Sequence, residues 1–421
     1  MSTTTAAPSS GMAGKLGTWL MIIATVGLAF VICVELINIL FYDPWSDDKF
    51  LFKLSGSLSG VEIGPLTYLM FGSLAVALMM GLPLAFVTGG LGVMFIYLVG
   101  DAMMLNIVPG RIFPLMANPD IAAIPLFIFM ASMLERAGLI EEMFSVVYKW
   151  MGGISGGLAA ATIVASTILA AMVGVIGAAV VTMGIIALPA MLKRHYDHKI
   201  AIGSIMAGGT LGILIPPSIL AILYAVVAQQ SVGELYLGSL LPGLMLSGLY
   251  LTYVLVRSWL NPKLGPPIPV EDRISLKEKL KLLGNLIAPL ALVGLVLGLL
   301  FGGIATPVEA AGIGSFGAII VAMMHKKFSI AGLREASVTT AKASAMVLWI
   351  MFGASVFVGF YILQGGQQFV TDAILGTGMS AYGILLLLMV LLVVLGMFLD
   401  WVGILLLAVP IFIPIVKALE F

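Results

Sequence analysis

The sequence predicts an all-α polytopic membrane protein, and three observations lead there: its apolar excess, the length of its apolar runs, and the breaks inside those runs. Of the 421 residues 61% are hydrophobic and 10% charged, with a mean hydropathy of +1.17. Soluble domains carry roughly 45–50% apolar and about 25% charged residues, so lipid has to cover the surplus. A spanning helix needs about 20 mostly apolar residues, and the chain holds roughly ten such stretches. The formal net charge is zero, which gives no footprint for nucleic acid. The surface to be satisfied is the lipid bilayer. Cys33 is the only cysteine, which excludes an intrachain disulfide and argues against a cysteine-ligated metal.

Residues 1–64 read as an N-terminal extension with one extra transmembrane helix. Its apolar run, Trp19–Phe41, exceeds a signal-peptide core and has no small-residue cleavage site behind it. A first repeat covers 65–258. Pro65–Gly100, interrupted at Gly81-Leu82-Pro83, reads as two short helices, and Ile121–Leu134 as a third that ends in Glu135-Arg136. Leu139–Trp150 mixes Glu141, Glu142 and Lys149 with Met143, Phe144 and Val147, an amphipathic pattern expected to lie along the membrane interface. Gly156–Leu192 is one long apolar run with Gly174 and Gly177 near its centre. It reads as a re-entrant hairpin or as one tilted helix with a tail. Ile200–Ala228 and Tyr236–Val256 follow. A charged linker spans 259–281. The second repeat, 282–421, holds Leu282–Leu300, Val308–Met324, Ala343–Leu363 and Tyr382–Val416. Placing the basic groups Lys193–Lys199, the linker and His325-Lys326-Lys327 on one, cytoplasmic side gives a consistent topology.

The repeat rests on correspondence between the halves. Gly138–Gly153 has a counterpart in Gly365–Gly378, each preceded by a long apolar helix. The offset that carries Ala187-Leu188-Pro189 onto Ala408-Val409-Pro410 also brings Gly177–Val180 onto Phe398–Trp401. Each half thus reads as long helix, interfacial helix, then an apolar run broken mid-way. The same offset carries Gly208–Ser218 beyond Phe421, so the C-terminal part of the second repeat is expected to be missing.

The most informative motif is Gly208-Gly209-Thr210-Leu211-Gly212-Ile213-Leu214-Ile215-Pro216-Pro217-Ser218. Proline lacks the N–H and clashes one turn back, so this cannot be an unbroken helix. Non-helical backbone at membrane depth survives only inside protein or along a wet cavity. In transporters such breaks present half-helix dipoles and free carbonyls to anionic substrates and sodium ions. In the second half, Gly396-Met397-Phe398-Leu399-Asp400-Trp401 places Asp400 in an apolar run. Such a residue is a functional candidate; equally, it reads as an aspartate capping the next helix.

These residues resemble the large membrane subunit, DctM type, of the tripartite ATP-independent periplasmic (TRAP) transporters. The resemblance is carried by Ile124–Phe129 with Glu135–Leu139, by Gly209–Ile219, by Thr306–Ala311 and by Gly396–Asp400, in order from about Pro65 to the end. It implies an ion-transporter-type elevator fold with two inverted repeats, each with a re-entrant hairpin and a broken helix. It further implies sodium-driven import of an organic acid across a bacterial inner membrane, with a small membrane subunit and a periplasmic substrate-binding protein as partners. Sodium is the coupling ion and no other cofactor is implied. Carried over by motif, sodium would sit near Gly174, Gly177, Gly209, Thr210 and Gly212. Gly208, Pro216, Pro217, Ser218, Gly396 and Asp400 would complete the ion and substrate sites.

Two rivals remain at this point. An intramembrane enzyme needs paired carboxylates, a Ser–His pair or a metal cluster, yet His195, His198 and His325 all sit in cationic flanks. A carboxylate carrier of the same superfamily would work without a binding protein.

Overall fold

The computed structural model describes residues 56–100, 102–151, 153–173, 176–267 and 275–420. The expected helix Trp19–Phe41 and the middle of the linker, 268–274, lie outside them. The described residues form α-helices joined by short 3-10 turns, with no strand among them.

The first apolar run divides as expected into α1 (Ile63–Met79) and α2 (Leu84–Val99). Gly81 between them takes φ +80°, a conformation L side chains avoid, and Pro83 precedes the new helix. The sequence reading assigns nothing to 102–118. There a short helix, α3 (Ile107–Met116), turns by 63° into α4 (Ala123–Arg136). Next come α5 (Leu139–Met151), α6 (Gly157–Val173), α7 (Ile176–Lys193), α8 (His198–Thr210), α9 (Ile219–Ala228) and α10 (Val232–Leu260). The second half holds α11 (Leu276–Phe301), α12 (Pro307–Met324), α13 (Ile330–Leu363), α14 (Gly366–Leu375), α15 (Ala381–Gly396) and α16 (Trp401–Ala418). Both α11 and α12 open on capping boxes, Ser275 with Glu278 and Thr306 with Glu309.

Among the described residues only four helices, α10, α12, α13 and α16, are individually long and apolar enough to cross a membrane. The other apolar runs are cut short by their breaks. Most telling is Gly156–Leu192. The Leu158 N–H donates to the Tyr196 hydroxyl at 3.1 Å, the Gly156 N–H to the Gly265 carbonyl at 2.7 Å, and the Asp197 N–H to the Leu264 carbonyl at 3.0 Å. The start of α6 and the end of α7 therefore meet at one place. The run is a helical hairpin, as the first of the two readings requires, and the tilted helix with a tail is excluded.

One expectation needs correction. The helix expected over Ala343–Leu363 starts at Ile330. Its first turns look polar, but Ala336, Thr340 and Ser344 recur every four residues and bury one small-residue stripe, and Ser329 caps the start. The expected amphipathic helix is present as α5, and its apolar face meets protein. Its buried face (Leu139, Ile140, Met143, Phe144, Val147) packs on α6 and α11. The Trp150 indole N–H donates to the Lys279 carbonyl at 3.2 Å, and the Lys279 ammonium sits 5.9 Å from the indole ring centre.

The halves interlock reciprocally: α2 of the first half packs along α13 of the second, and α12 of the second along α4 of the first. The repeat-equivalent helices α4 and α13 also touch, with Arg136 at the end of α4 paired to Glu335 near the start of α13. They run antiparallel, as an inverted repeat requires.

Candidate functional site

The centre of interest is the interval between α8 and α9. Asp197 starts α8 by accepting from the Lys199 and Ile200 N–H groups at 3.0 and 3.2 Å. The helix runs to Thr210, and a 3-10 turn over Leu211–Ile213 follows. The Leu214 and Ile215 N–H groups both turn back to the Leu211 carbonyl, at 3.0 and 2.9 Å. Pro216 and Pro217, joined by a cis peptide, add no donor, and α9 begins after Ser218. The α8 end carries the partial negative charge of its last carbonyls, and the α9 start the partial positive charge of its first N–H groups. No side chain caps the α9 start. The Ser218 hydroxyl instead donates back to the Ile213 carbonyl at 2.6 Å, and the Tyr236 hydroxyl donates to the Ser218 carbonyl at 3.1 Å. One interval thus offers a cation-favouring end and an anion-favouring end, both held by named bonds.

The hairpin closes on this interval from one side, and glycines permit the approach. A β-carbon at Gly208 would lie 2.6 Å from the Ser166 Oγ of α6. At Gly209 it would overlap the Val180 side chain of α7 and come within 3.3 Å of the Val180 Cα. Gly208, Gly209, Gly212, Pro216, Pro217 and Ser218 are buried, whereas Thr210 is exposed, its hydroxyl donating to the Ala207 carbonyl at 2.7 Å. Gly177 lies in the first turn of α7, and Gly174 lies outside the described residues.

The second-half candidates stand apart. Gly396 ends α15, and Asp400 precedes α16 in the N-cap position, exposed, with its backbone carbonyl accepting from the Ile404 N–H at 3.0 Å. Its carboxylate makes no capping bond. The reading of Asp400 as a side-chain cap is therefore corrected: the backbone turn starts the helix and leaves the carboxylate out of it. Among the described residues no bond joins Asp400 to the α8–α9 interval, and α9 packs on α16.

Sequence reasoning passes over three residues that shape the site. Ser166 is fully buried beside Gly208 and its hydroxyl has no hydrogen-bond partner among the described residues. Tyr236 is fully buried and anchors the Ser218 carbonyl. Tyr196 joins the hairpin ends, and burial pushes its phenol up to about 12, the Leu158 N–H acting in the opposite direction. A lone serine or tyrosine in an apolar run gives no periodic signal; only the approach of distant segments reveals it. The enzyme rival gains nothing from the geometry: the imidazole of His325 faces Glu142 at 3.4 Å, outside any serine constellation.

The family model described as the tripartite ATP-independent periplasmic transporter, DctM component, matches residues 71–421. The chain belongs to this family. It is 32% identical over 355 residues to the isethionate TRAP transporter permease protein DctMQ of Oleidesulfovibrio alaskensis, covering 84% of this chain and 55% of that relative. The chain thus spans about half of that relative's length. It is 29% identical to the C4-dicarboxylate TRAP transporter large permease protein DctM of Rhodobacter capsulatus, with 82% of this chain and 81% of the relative covered. It is 28% identical to the sialic acid TRAP transporter large permease protein SiaM of Vibrio cholerae, over 72% and 70%. The crystal structure of the Alcanivorax borkumensis YdaH transporter superposes with a TM-score of 0.55 at 18% identity, covering 84% of this chain and 83% of that one. That likeness concerns the fold alone. This DctM-family chain, with its several apolar helices, is accordingly a multi-pass membrane protein.

Proposed function

We propose that this DctM-family chain is the large permease of a sodium-coupled importer of an organic acid, working in a bacterial inner membrane. One observation carries the reading: the α8–α9 interval, with opposed helix ends, is clasped by a helical hairpin through Gly208 and Gly209. The α8 end suits a sodium ion, with the Thr210 hydroxyl and nearby carbonyls as hard oxygen donors. The uncapped α9 start suits a carboxylate. The relatives named for C4-dicarboxylate, sialic acid and isethionate all carry acids, which supports an anionic cargo.

The hairpin, α8 and α9 move as one body against α4, α12 and α13, carrying the site across the membrane in the manner of an elevator. A periplasmic binding protein delivers the acid, and a small membrane subunit steadies the scaffold. The deciding experiment is uptake into proteoliposomes holding the large and small subunits, with candidate binding proteins added outside and sodium varied. Uptake requiring both sodium and one binding protein is expected. Uptake that needs neither would sink the proposal, and uptake that needs only sodium would favour a carrier that works alone.

A further inference from the structure

We propose that a cleft between α6, α8 and α10 holds one acyl chain of an anionic phospholipid, with the phosphate at Lys199. The cleft has a volume of about 420 Å³, and its walls are apolar and aromatic, with Ile163, Gly203, Val254 and Tyr253 among them. The side chains flanking it are apolar and face outward: Ile202, Met206, Leu249 and Val256 are all exposed on the molecular surface. Polar groups are a minority of its lining (Lys199, Ser204 and the hydroxyls of Tyr250 and Tyr253), and the Ser204 hydroxyl is already bonded to the Ala201 carbonyl, so most of the volume has no partner for water. A partner helix does not fit either, because a helix with side chains is about 10–12 Å across and one turn already fills such a volume. A flexible hydrocarbon chain does fit.

Charge at one end selects the headgroup. Lys199 lines the cleft there, with Lys193, Arg194, His195 and His198 just before it and Arg257 one turn beyond Tyr253 on α10. Asp197, the nearest carboxylate in sequence, is already engaged in capping α8. Lys199 makes no ion pair among the described residues. A basic pocket between helices at the membrane surface attracts anionic headgroups. The position matters to the transport body, because Ile163 lines the cleft and its Cα lies 3.7 Å from where a Gly208 β-carbon would be. The lipid backs the wall of the α8–α9 interval.

Native mass spectrometry of the whole protein in mild detergent, titrated with phosphatidylglycerol or phosphatidylcholine, tests this. One retained phosphatidylglycerol per chain is expected in the unaltered protein. Lys199→Gln should lower its preference over phosphatidylcholine about fivefold, the worth of one basic side chain near a membrane surface. Gly203→Leu should abolish retention by filling the cleft, since a β-carbon there meets nothing within 4 Å. Ala207→Leu fills it from another lining position should Gly203→Leu prove unstable in a thermal melt. Equal retention of both lipids, or undiminished retention in the filled variants, overturns the proposal. Displacement by millimolar inorganic phosphate overturns it too, because the site would then take a free anion.

Discussion

At the residue scale, the closest approach in the molecule's functional region depends on side chains that are absent. Gly209→Ala should force α7 away from α8, at about 1–3 kcal/mol of overpacking. The melting temperature of the purified protein is expected to fall, and Val180→Ala in the same chain should restore much of it. If the double variant melts no higher than the single one, the contact with Val180 is not the cause. Tyr196 makes a different prediction. Its phenol sits above the ordinary value of 10.0, at about 12, because burial disfavours the anion. The folded protein therefore binds this proton more tightly than the unfolded chain. The resulting stabilisation is whole below pH 10 and declines as pH rises through about 12. Thermal melts at increasing pH should show an alkaline loss that is smaller in Tyr196→Phe. The same variant should be less stable at neutral pH by about 1–3 kcal/mol, because a buried N–H of Leu158 loses its acceptor.

At the scale of the element, the beginnings of helices are where local sequence acts most directly. Thr306 and Glu309 exchange bonds at the start of α12, with the Thr306 N–H donating to Glu309 at 2.8 Å and the Glu309 N–H to the Thr306 hydroxyl at 3.3 Å. Thr306→Ala should cost about 1 kcal/mol, read as a lowered denaturation midpoint. The exposed pair between Arg136 and Glu335 should matter far less: Arg136→Ala is expected to shift stability by under about 1 kcal/mol. Helix boundaries and breaks were legible in sequence to the same degree. Gly81-Leu82-Pro83, the Gly208–Ser218 stretch and the interruption near Gly174 all mark real ends of helices. What escaped was α3, whose Pro114 and Arg111 spoil its apolar pattern, and the first turns of α13. Arg111 survives there because its guanidinium rests on Gly359, donating to that carbonyl at 3.4 Å, a partner 248 residues away.

At the scale of the whole molecule, the polar ends of many segments gather on one side. Tyr196 with Leu158, Gly156 with Gly265, Trp150 with Lys279, and Glu142 with His325 bring the hairpin ends, the linker flanks and the α12 end together. This is the grouping that the distribution of basic residues led one to expect. Between the bodies proposed to move, the Thr182 hydroxyl of α7 donates to the Glu135 carboxylate of α4 at 3.1 Å. Cysteines at both positions, in a Cys33→Ser background, should be bridged by mercury, and uptake should stop until a thiol removes the metal. Uptake that continues through the bridge would mean that α7 and α4 do not separate during the cycle.

The sequence by itself determined the solvent, the period and the punctuation. Its apolar excess requires lipid, its run lengths require helices, and its glycines and prolines decide where helices stop, because those are properties of composition and local backbone chemistry. It also carried the family, through motifs that keep their order along the chain. Only the tertiary structure decided that Gly156–Leu192 doubles back, that Asp400 leaves its helix uncapped, and that Ser166, Val180 and Tyr236 converge on the α8–α9 interval. Those facts depend on which distant surfaces fit closely enough to exclude lipid and water. Such fit belongs to pairs of segments, so no single stretch of sequence contains it.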